Sequence, residues 1–355
     1  MTQNDYTSDA VRLLEELIST PSVSREETRA ADLLAQRMGE YGLSYERKGN
    51  NIWSIGLGFD ERRETVLLNA HIDTVRPTAS WERDPYTATH EGDRLYGLGS
   101  NDCGGGLVSL LQVLRIYNEQ AKQSAAAQKY NLVYLASAEE EVSGQNGICQ
   151  ALPLLPRIDV AIVGEPTGMQ PAVAEKGLMV VDLTAHGRSG HAARNEGVNA
   201  IYALLDDLQL LRHYRFERVS ELLGPTLMQV TMIEAGTQHN VVPDVCKAVV
   251  DIRTNELYTN EEVLQFLKEN LHCEVKARST RLSSSSIAKE HPLIRKLIAM
   301  GKTPFGSPTL SDQALMPFPS LKMGPGDSSR SHTADEYICI SEINDAIATY
   351  CQLLL

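Results

Sequence analysis

No stretch of this 355-residue sequence approaches the roughly 20 consecutive apolar residues that a membrane-spanning helix needs. The N-terminal residues MTQNDYTSDA lack a basic segment followed by an apolar one, so no secretory leader is expected and a cytoplasmic location is. Cysteine is scarce and scattered: Cys103, Cys149, Cys246, Cys273, Cys339 and Cys351 form no C-x-x-C pair, which argues against a thiolate zinc site or a redox motif. Positive charge is also short. With 33 Lys and Arg against 46 Asp and Glu, the formal net charge of −13 disfavours nucleic acid and anionic membranes as partners. There is no internal repeat, and no low-complexity tract beyond the four serines at 283–286.

What is present is an ordinary globular composition, 42% hydrophobic and 22% charged, in a chain long enough for two domains. Its informative feature is how the apolar runs end. "VLLNAHIDTV" reads as a strand buried on both faces that stops at His71 and Asp73. "NLVYLASAEEEVSG" stops at Glu139, Glu140 and Glu141, and "DVAIVGEPT" at Glu165. "LKMGPGDSSRSHT" passes through a Gly/Pro turn to Asp327 and His332. Helical patterns separate these runs, as in "DAVRLLEELIS", "TRAADLLAQRMGEYG" and "LVSLLQVLRIY", the last preceded by the glycine-rich loop that carries Asp102. Alternating strands and helices imply an α/β fold: a mostly parallel sheet with helices on both faces. In such sheets the carboxyl ends of the strands gather the ligand-binding groups.

Several strand ends carrying only His, Asp and Glu would repel one another unless a cation sat among them. Nitrogen and oxygen donors without sulfur suit zinc, with cobalt or manganese as substitutes. Two histidines and three or more carboxylates exceed what one four-coordinate ion with an open position can use, whereas two ions sharing a carboxylate use them all. Gly104, Gly105 and Gly106 are followed by no Lys-Ser/Thr and form no G-x-G-x-x-G, so a phosphate cradle is not expected. Their expected role is to let the backbone approach the metals.

The segments "AHIDTV", "YGLGSNDCGGG", "SAEEEVSG", "VGEPT", "GRSGHAARNEGVNAI", "GTQHNVVP" and "GPGDSSRSHTADEYI" together resemble the co-catalytic di-zinc deacylases and peptidases. That family includes acetylornithine deacetylase, succinyl-diaminopimelate desuccinylase and aminoacylase, and the resemblance is nearest to the acetylornithine and acetylcitrulline deacetylase branch. It implies two zinc ions, one held by His71, Asp102 and Glu165, the other by Glu141, His332 and the shared Asp102. It implies Asp73 as the acceptor that fixes the His71 ring and Glu140 as the general base. An alternative register makes Glu139 and Glu140 the functional pair.

From about Lys176 the pattern changes to strand–helix–strand–strand–helix–strand, the ferredoxin-like order, ending near "CEVKARST". The expected organisation is a catalytic domain over 1–175 and 285–355, interrupted by a lid and dimerisation domain over 176–284. In this insertion the resemblance implies His191 as donor to the oxyanion, and Asn240 and Arg253 as substrate contacts. Arg253 suits a carboxylate through its planar fork, with a surface salt bridge as the alternative. Arg330 is a further candidate for a substrate carboxylate. The expected activity is hydrolysis of the N-acyl amide of a small amino acid, N-acetyl-ornithine or N-acetyl-citrulline or their succinyl forms, in arginine biosynthesis, by a homodimer. The alternatives are a di-zinc dipeptidase or aminopeptidase, and succinyl-diaminopimelate desuccinylase.

Overall fold

The computed structural model describes residues 2–194 and 196–355. The chain divides into two units: unit 1 is Met1–Val173, Ile287–Phe305 and Ser311–Leu355, and unit 2 is Ala174–Ser286 and Gly306–Leu310. Elements are numbered along the chain. Unit 1 opens with α1 (Gln3–Ile18), α2 (Thr28–Glu40), β1 (Glu46–Lys48), β2 (Asn51–Ile55), β3 (Thr65–His71), β4 (Thr89–Glu91) and β5 (Arg94–Tyr96). It continues through α3 (Gly105–Ser124), β6 (Asn131–Ser137), α4 (Ile148–Ala151) and β7 (Val160–Val163), and β8 (Ala172–Glu175) runs on into unit 2. Unit 2 holds β9 (Met179–His186), α5 (Ala200–His213), β10 (Leu227–Ala235), β11 (Val245–Arg253), α6 (Asn260–Asn270), β12 (Glu274–Ala277) and β13 (Ser285–Ser286). Then follow α7 (Pro292–Ala299), β14 (Phe305–Ser307), β15 (Ser320–Lys322), β16 (Tyr337–Cys339) and α8 (Ile340–Leu354).

The core of unit 1 is four neighbouring strands in the order β6-β3-β7-β15, all parallel. β2 extends it antiparallel on one side, with β1 antiparallel to β2 beyond it, and β8 extends it antiparallel on the other. Every residue of β3, β6 and β7 is buried, because both faces are covered. On one face Trp53, Leu67, Val133, Leu135 and Ala161 pack with Ile148 and Ala151 of α4. On the other lies α3, buried nearly all round, with α1 and α8 packed against it. The four parallel strands point the same way, so their carboxyl ends lie along one edge. A separate three-stranded sheet, β16-β5-β4, was not foreseen from the sequence, since strands this short carry little periodicity.

Unit 2 is an antiparallel sheet in the order β10-β11-β9-β12. Strict alternation buries Met179, Val181, Leu183 and Ala185 of β9, and Cys246, Ala248, Val250 and Ile252 of β11, against the apolar faces of α5 and α6. Thr259 caps α6: its side chain accepts the Glu262 N–H while the Glu262 carboxylate accepts the Thr259 N–H. The short segment Gly306–Leu310, expected in the catalytic domain, groups instead with unit 2, where Gly306 packs on Leu222 and Leu223 and the Ser307 carbonyl accepts the Lys176 N–H. No helix among the described residues is long and apolar enough to cross a membrane.

Candidate metal centre

Each predicted donor in unit 1 sits at the edge defined by the parallel strands. His71 ends β3, Glu139–Glu141 form the turn after β6, and Glu165 follows β7. β15 leads through Gly324–Pro325–Gly326 to His332, and Asp102 lies in the loop between β5 and α3. Asp102 stands between the two histidines: its Oδ1 is 3.2 Å from His71 Nε2 and its Oδ2 is 3.6 Å from His332 Nε2. Glu165 lies 3.5 Å from His71 Nε2, and Glu141 3.0 Å from His332 Nε2. Two His–carboxylate clusters therefore share one aspartate. Glu140 reaches to 3.9 Å from His71 Nε2.

The three glutamates point in different directions. Glu139 has φ of 53° and turns its buried carboxylate away, to the side chain and N–H of Asn146 at 2.9 and 3.3 Å. This leaves Glu140 and Glu141 facing the histidines.

The His71 ring meets both the main-chain oxygen and the carboxylate of Asp73. Nδ1 is 2.8 Å from the Asp73 main-chain oxygen, and the nearest carboxylate oxygen is at 3.5 Å. The carboxylate also accepts from Ser24 Oγ at 2.7 Å and from the N–H groups of Glu140 and Glu141. Among the glycines at 104–106, Gly106 serves a close approach within the protein itself. A Cβ on Gly106 would lie 1.9 Å from the Gly164 carbonyl oxygen, so this glycine lets α3 approach the backbone just before Glu165.

The electrostatics explain why such a site calls for cations. Burial, with the Asp102 charge added, pushes Glu165 up to about 8. Burial raises Glu140 well above the carboxylate range, and the Glu165 charge adds to it. Burial disfavours a charged His71, yet its bonds to Asp102 and Asp73 outweigh this and hold the ring well above its usual value. The Glu141 carboxylate raises His332 to about 9. Protons on the two imidazoles thus occupy positions where divalent metal would fit. The donors are nitrogen and oxygen, in two sets joined by a carboxylate, and the chemistry of this set fits a pair of such ions. Cys103 also lies near His71 and Glu165, but its thiol donates to the Gly164 carbonyl at 3.1 Å and burial raises it well above its usual range.

The remaining predicted residues are described within their own units. The Arg330 fork is taken by Glu342, at 2.7 and 3.0 Å, with its guanidinium over the Tyr337 ring. Within unit 2, Arg253 pairs with Asp251 at 2.8 and 3.1 Å, the salt-bridge reading of that residue. Asn240 is exposed, and its carbonyl accepts the Ala192 N–H. His191 is exposed as well; its Nδ1 lies 3.2 Å from the Ala193 N–H, and accepting that bond leaves the proton on Nε2.

Sequence reasoning missed two buried carboxylates. Asp312 accepts from Ser137 Oγ at 2.5 Å, and burial pushes it up to about 6. Glu336 accepts three N–H groups of the loop that carries Asp102. Neither has a local signal: one follows an ordinary Ser, the other stands in "TADEY" beside more conspicuous residues.

A fold with this strand-end constellation defines a class. The model of peptidase family M20/M25/M40 matches residues 67–355, and the chain belongs to that family. It is accordingly a metal-dependent amidohydrolase. Among its relatives, acetylornithine deacetylase of Pectobacterium carotovorum subsp. carotovorum is 30% identical over 366 residues, covering 92% of each chain. Aminopeptidase PepT from Bacillus cereus superimposes with a TM-score of 0.77 at 17% identity, over 98% of each chain. A protein from Bacillus subtilis described as a dinuclear metal-binding peptidase of the M20 family superimposes with a TM-score of 0.73 at 14% identity, over 99% of this chain and 98% of its own.

Proposed function

We propose that the chain hydrolyses the N-acyl amide of a small amino acid, N-acetyl-ornithine or N-acetyl-citrulline, in arginine biosynthesis in the cytoplasm, with two zinc ions as cofactors. The observation that carries this reading is Asp102, with one oxygen toward His71 and the other toward His332. His71, Asp102 and Glu165 would hold one ion, and Glu141, His332 and Asp102 the other. Zinc, when bound, acidifies water toward a pKa of about 7 and polarises a carbonyl.

Glu140 is the general base. It would take a proton from the attacking water and return that proton to the departing amine. His191 presents Nε2–H as a donor to the oxyanion. Asn240, Arg253 and Arg330 are proposed to contact the substrate; the two arginines would exchange their present carboxylate partners for that of the amino acid.

The partner is a second copy. β10 is an edge strand of the unit 2 sheet, with Met232 65% exposed, and α5 presents Tyr202 at 69%. An uncovered edge strand beside exposed apolar side chains suits association.

The test is a panel of acetyl- and succinyl-ornithine, acetyl-citrulline, succinyl-diaminopimelate and several dipeptides, compared by kcat/KM. The highest value is expected for an acyl-ornithine or acyl-citrulline. Cleavage of dipeptides with none of acyl amino acids would overturn the reading.

A further inference from the structure

Glu336 plays no part in the chemistry above, yet it is 2% exposed and fully engaged. Strand β16 pairs with β5, Tyr337 opposite Tyr96, which sets Glu336 alongside the loop that begins at Gly97. Its Oε1 accepts the N–H groups of Asn101 and Asp102 at 2.8 and 2.9 Å, and its Oε2 accepts that of Gly99 at 3.0 Å. Its main-chain oxygen takes a fourth, from Gly97, at 3.0 Å. The contact is reciprocated. Asn101, wholly buried, donates through Nδ2 to the Asp327 carbonyl at 3.0 Å and to Ser331 Oγ at 3.2 Å, and its Oδ1 accepts the Asp327 N–H at 3.1 Å. One loop carries Asp102 and the other carries His332. Each reaches across and holds the other's backbone.

We infer that Glu336, with Asn101 as its counterpart, is a positioning residue that fixes Asp102 between His71 and His332. The inference rests on reading this site as a two-metal centre. Only an acceptor with two equivalent oxygens satisfies three converging N–H groups without facing a donor against a donor. An amide in its place sets its NH2 against at least one of them. The released N–H must then find water, and the loop turns Asp102 with it. Asp102 is the one residue both clusters share, so a small rotation there disturbs both ions at once. Loss of such an outer hydrogen-bonding partner typically weakens metal binding by about 10–100-fold.

The test compares wild type, Glu336→Gln, Glu336→Ala and Asn101→Ala. Three measurements are made: affinity for Zn2+ by chelator competition, the visible absorption of the Co2+-loaded protein, and urea unfolding of the metal-free protein. Expected are a 10–100-fold loss of Zn2+ affinity and an altered Co2+ spectrum in Glu336→Gln, with larger effects in Glu336→Ala. If the alanine variant does not fold, Glu336→Gln and Asn101→Ala decide. Affinity within twofold of wild type and an unchanged Co2+ spectrum in both, with only the unfolding midpoint lowered, would make Glu336 a structural residue and overturn the inference. A wild-type chain that binds neither ion would instead overturn the metal-centre reading, and the inference with it.

Discussion

The Asp73 carboxylate accepts the Glu140 N–H at 3.0 Å, so the end of strand β3 sets the backbone direction of the turn after β6. The same carboxylate takes the Glu141 N–H at 3.2 Å. One side chain therefore aims both the proposed base and a proposed ligand, while the Asp73 main-chain oxygen separately holds the His71 ring. Asp73→Asn removes one acceptor from the turn and leaves that main-chain oxygen in place. It is expected to lower kcat by about 10–100-fold, the usual cost of an outer-shell partner. Metal at His71 should be retained, and elemental analysis after gel filtration checks this. Loss of metal in parallel with activity would show that the ring depends on the carboxylate after all.

Glu140→Gln and Glu141→Gln should part company. The first keeps metal and fold and slows turnover by about 10²–10⁴, the range for a general acid–base group. The second weakens metal binding. Swapped phenotypes, or an inactive Glu139→Gln with Glu140→Gln active, would favour the alternative register.

Gly106→Ala should destabilise through packing alone. The added methyl meets the Gly164 carbonyl, a backbone group that has no rotamer to escape into. Overpacking of this kind costs about 1–3 kcal/mol. Here the strain pushes on the segment ending at Glu165, so Zn2+ affinity should fall together with the thermal midpoint. A variant with wild-type stability would mean that α3 shifts freely.

The parallel core and the inserted domain were legible because burial imposes period. β3, β6 and β7 read as unbroken apolar runs, and β9 and β11 as strict alternations. The capping box at Thr259 is equally local. Donor types at the strand ends were visible for the same reason. The second ring of contacts was not. The role of the Asp73 carboxylate depends on a turn that belongs to another strand, and the grip of Glu336 on Gly99 and Asp102 spans most of the sequence. Gly106 suggested a close backbone approach, but its neighbour Gly164 is one that only the assembled sheet brings near.

The metal-free protein should lose stability as pH rises. His332 moves from 6.5 to about 9 on folding. A proton held more tightly in the folded chain stabilises it below the unfolded pKa, and that contribution disappears as pH climbs through the folded value. The window for His332 is therefore about pH 6.5 to 9. Glu165, raised from 4.5 to about 8, acts with the same sign from about pH 4.5 to 8. Urea midpoints of chelator-treated protein should fall across this range. Added Zn2+ should restore them most at the alkaline end, where it no longer competes with protons. A midpoint that rises with pH in the absence of metal would contradict these shifts.

His191 is expected to serve the partner's site in a homodimer. His191→Ala and Glu140→Ala should each be nearly inactive, since an oxyanion donor is typically worth about 10²–10³ in kcat. Purified heterodimers of the two variants contain one site with both residues intact only if the histidine crosses over. Activity near half that of wild type supports crossing. A heterodimer as inactive as its parents excludes it.

Unit 2 is threaded into unit 1, so the parts of the site leave the ribosome in two batches. His71, Asp102, Glu140, Glu141 and Glu165 emerge first; His332 and Glu336 follow only after all of Ala174–Ser286. At about 5–20 residues per second, the nascent chain spends on the order of ten seconds with an acidic cluster that lacks its second histidine and its clasp. Hydrolytic competence is thus a late event in the birth of this polypeptide, reached only after its own inserted domain has been made.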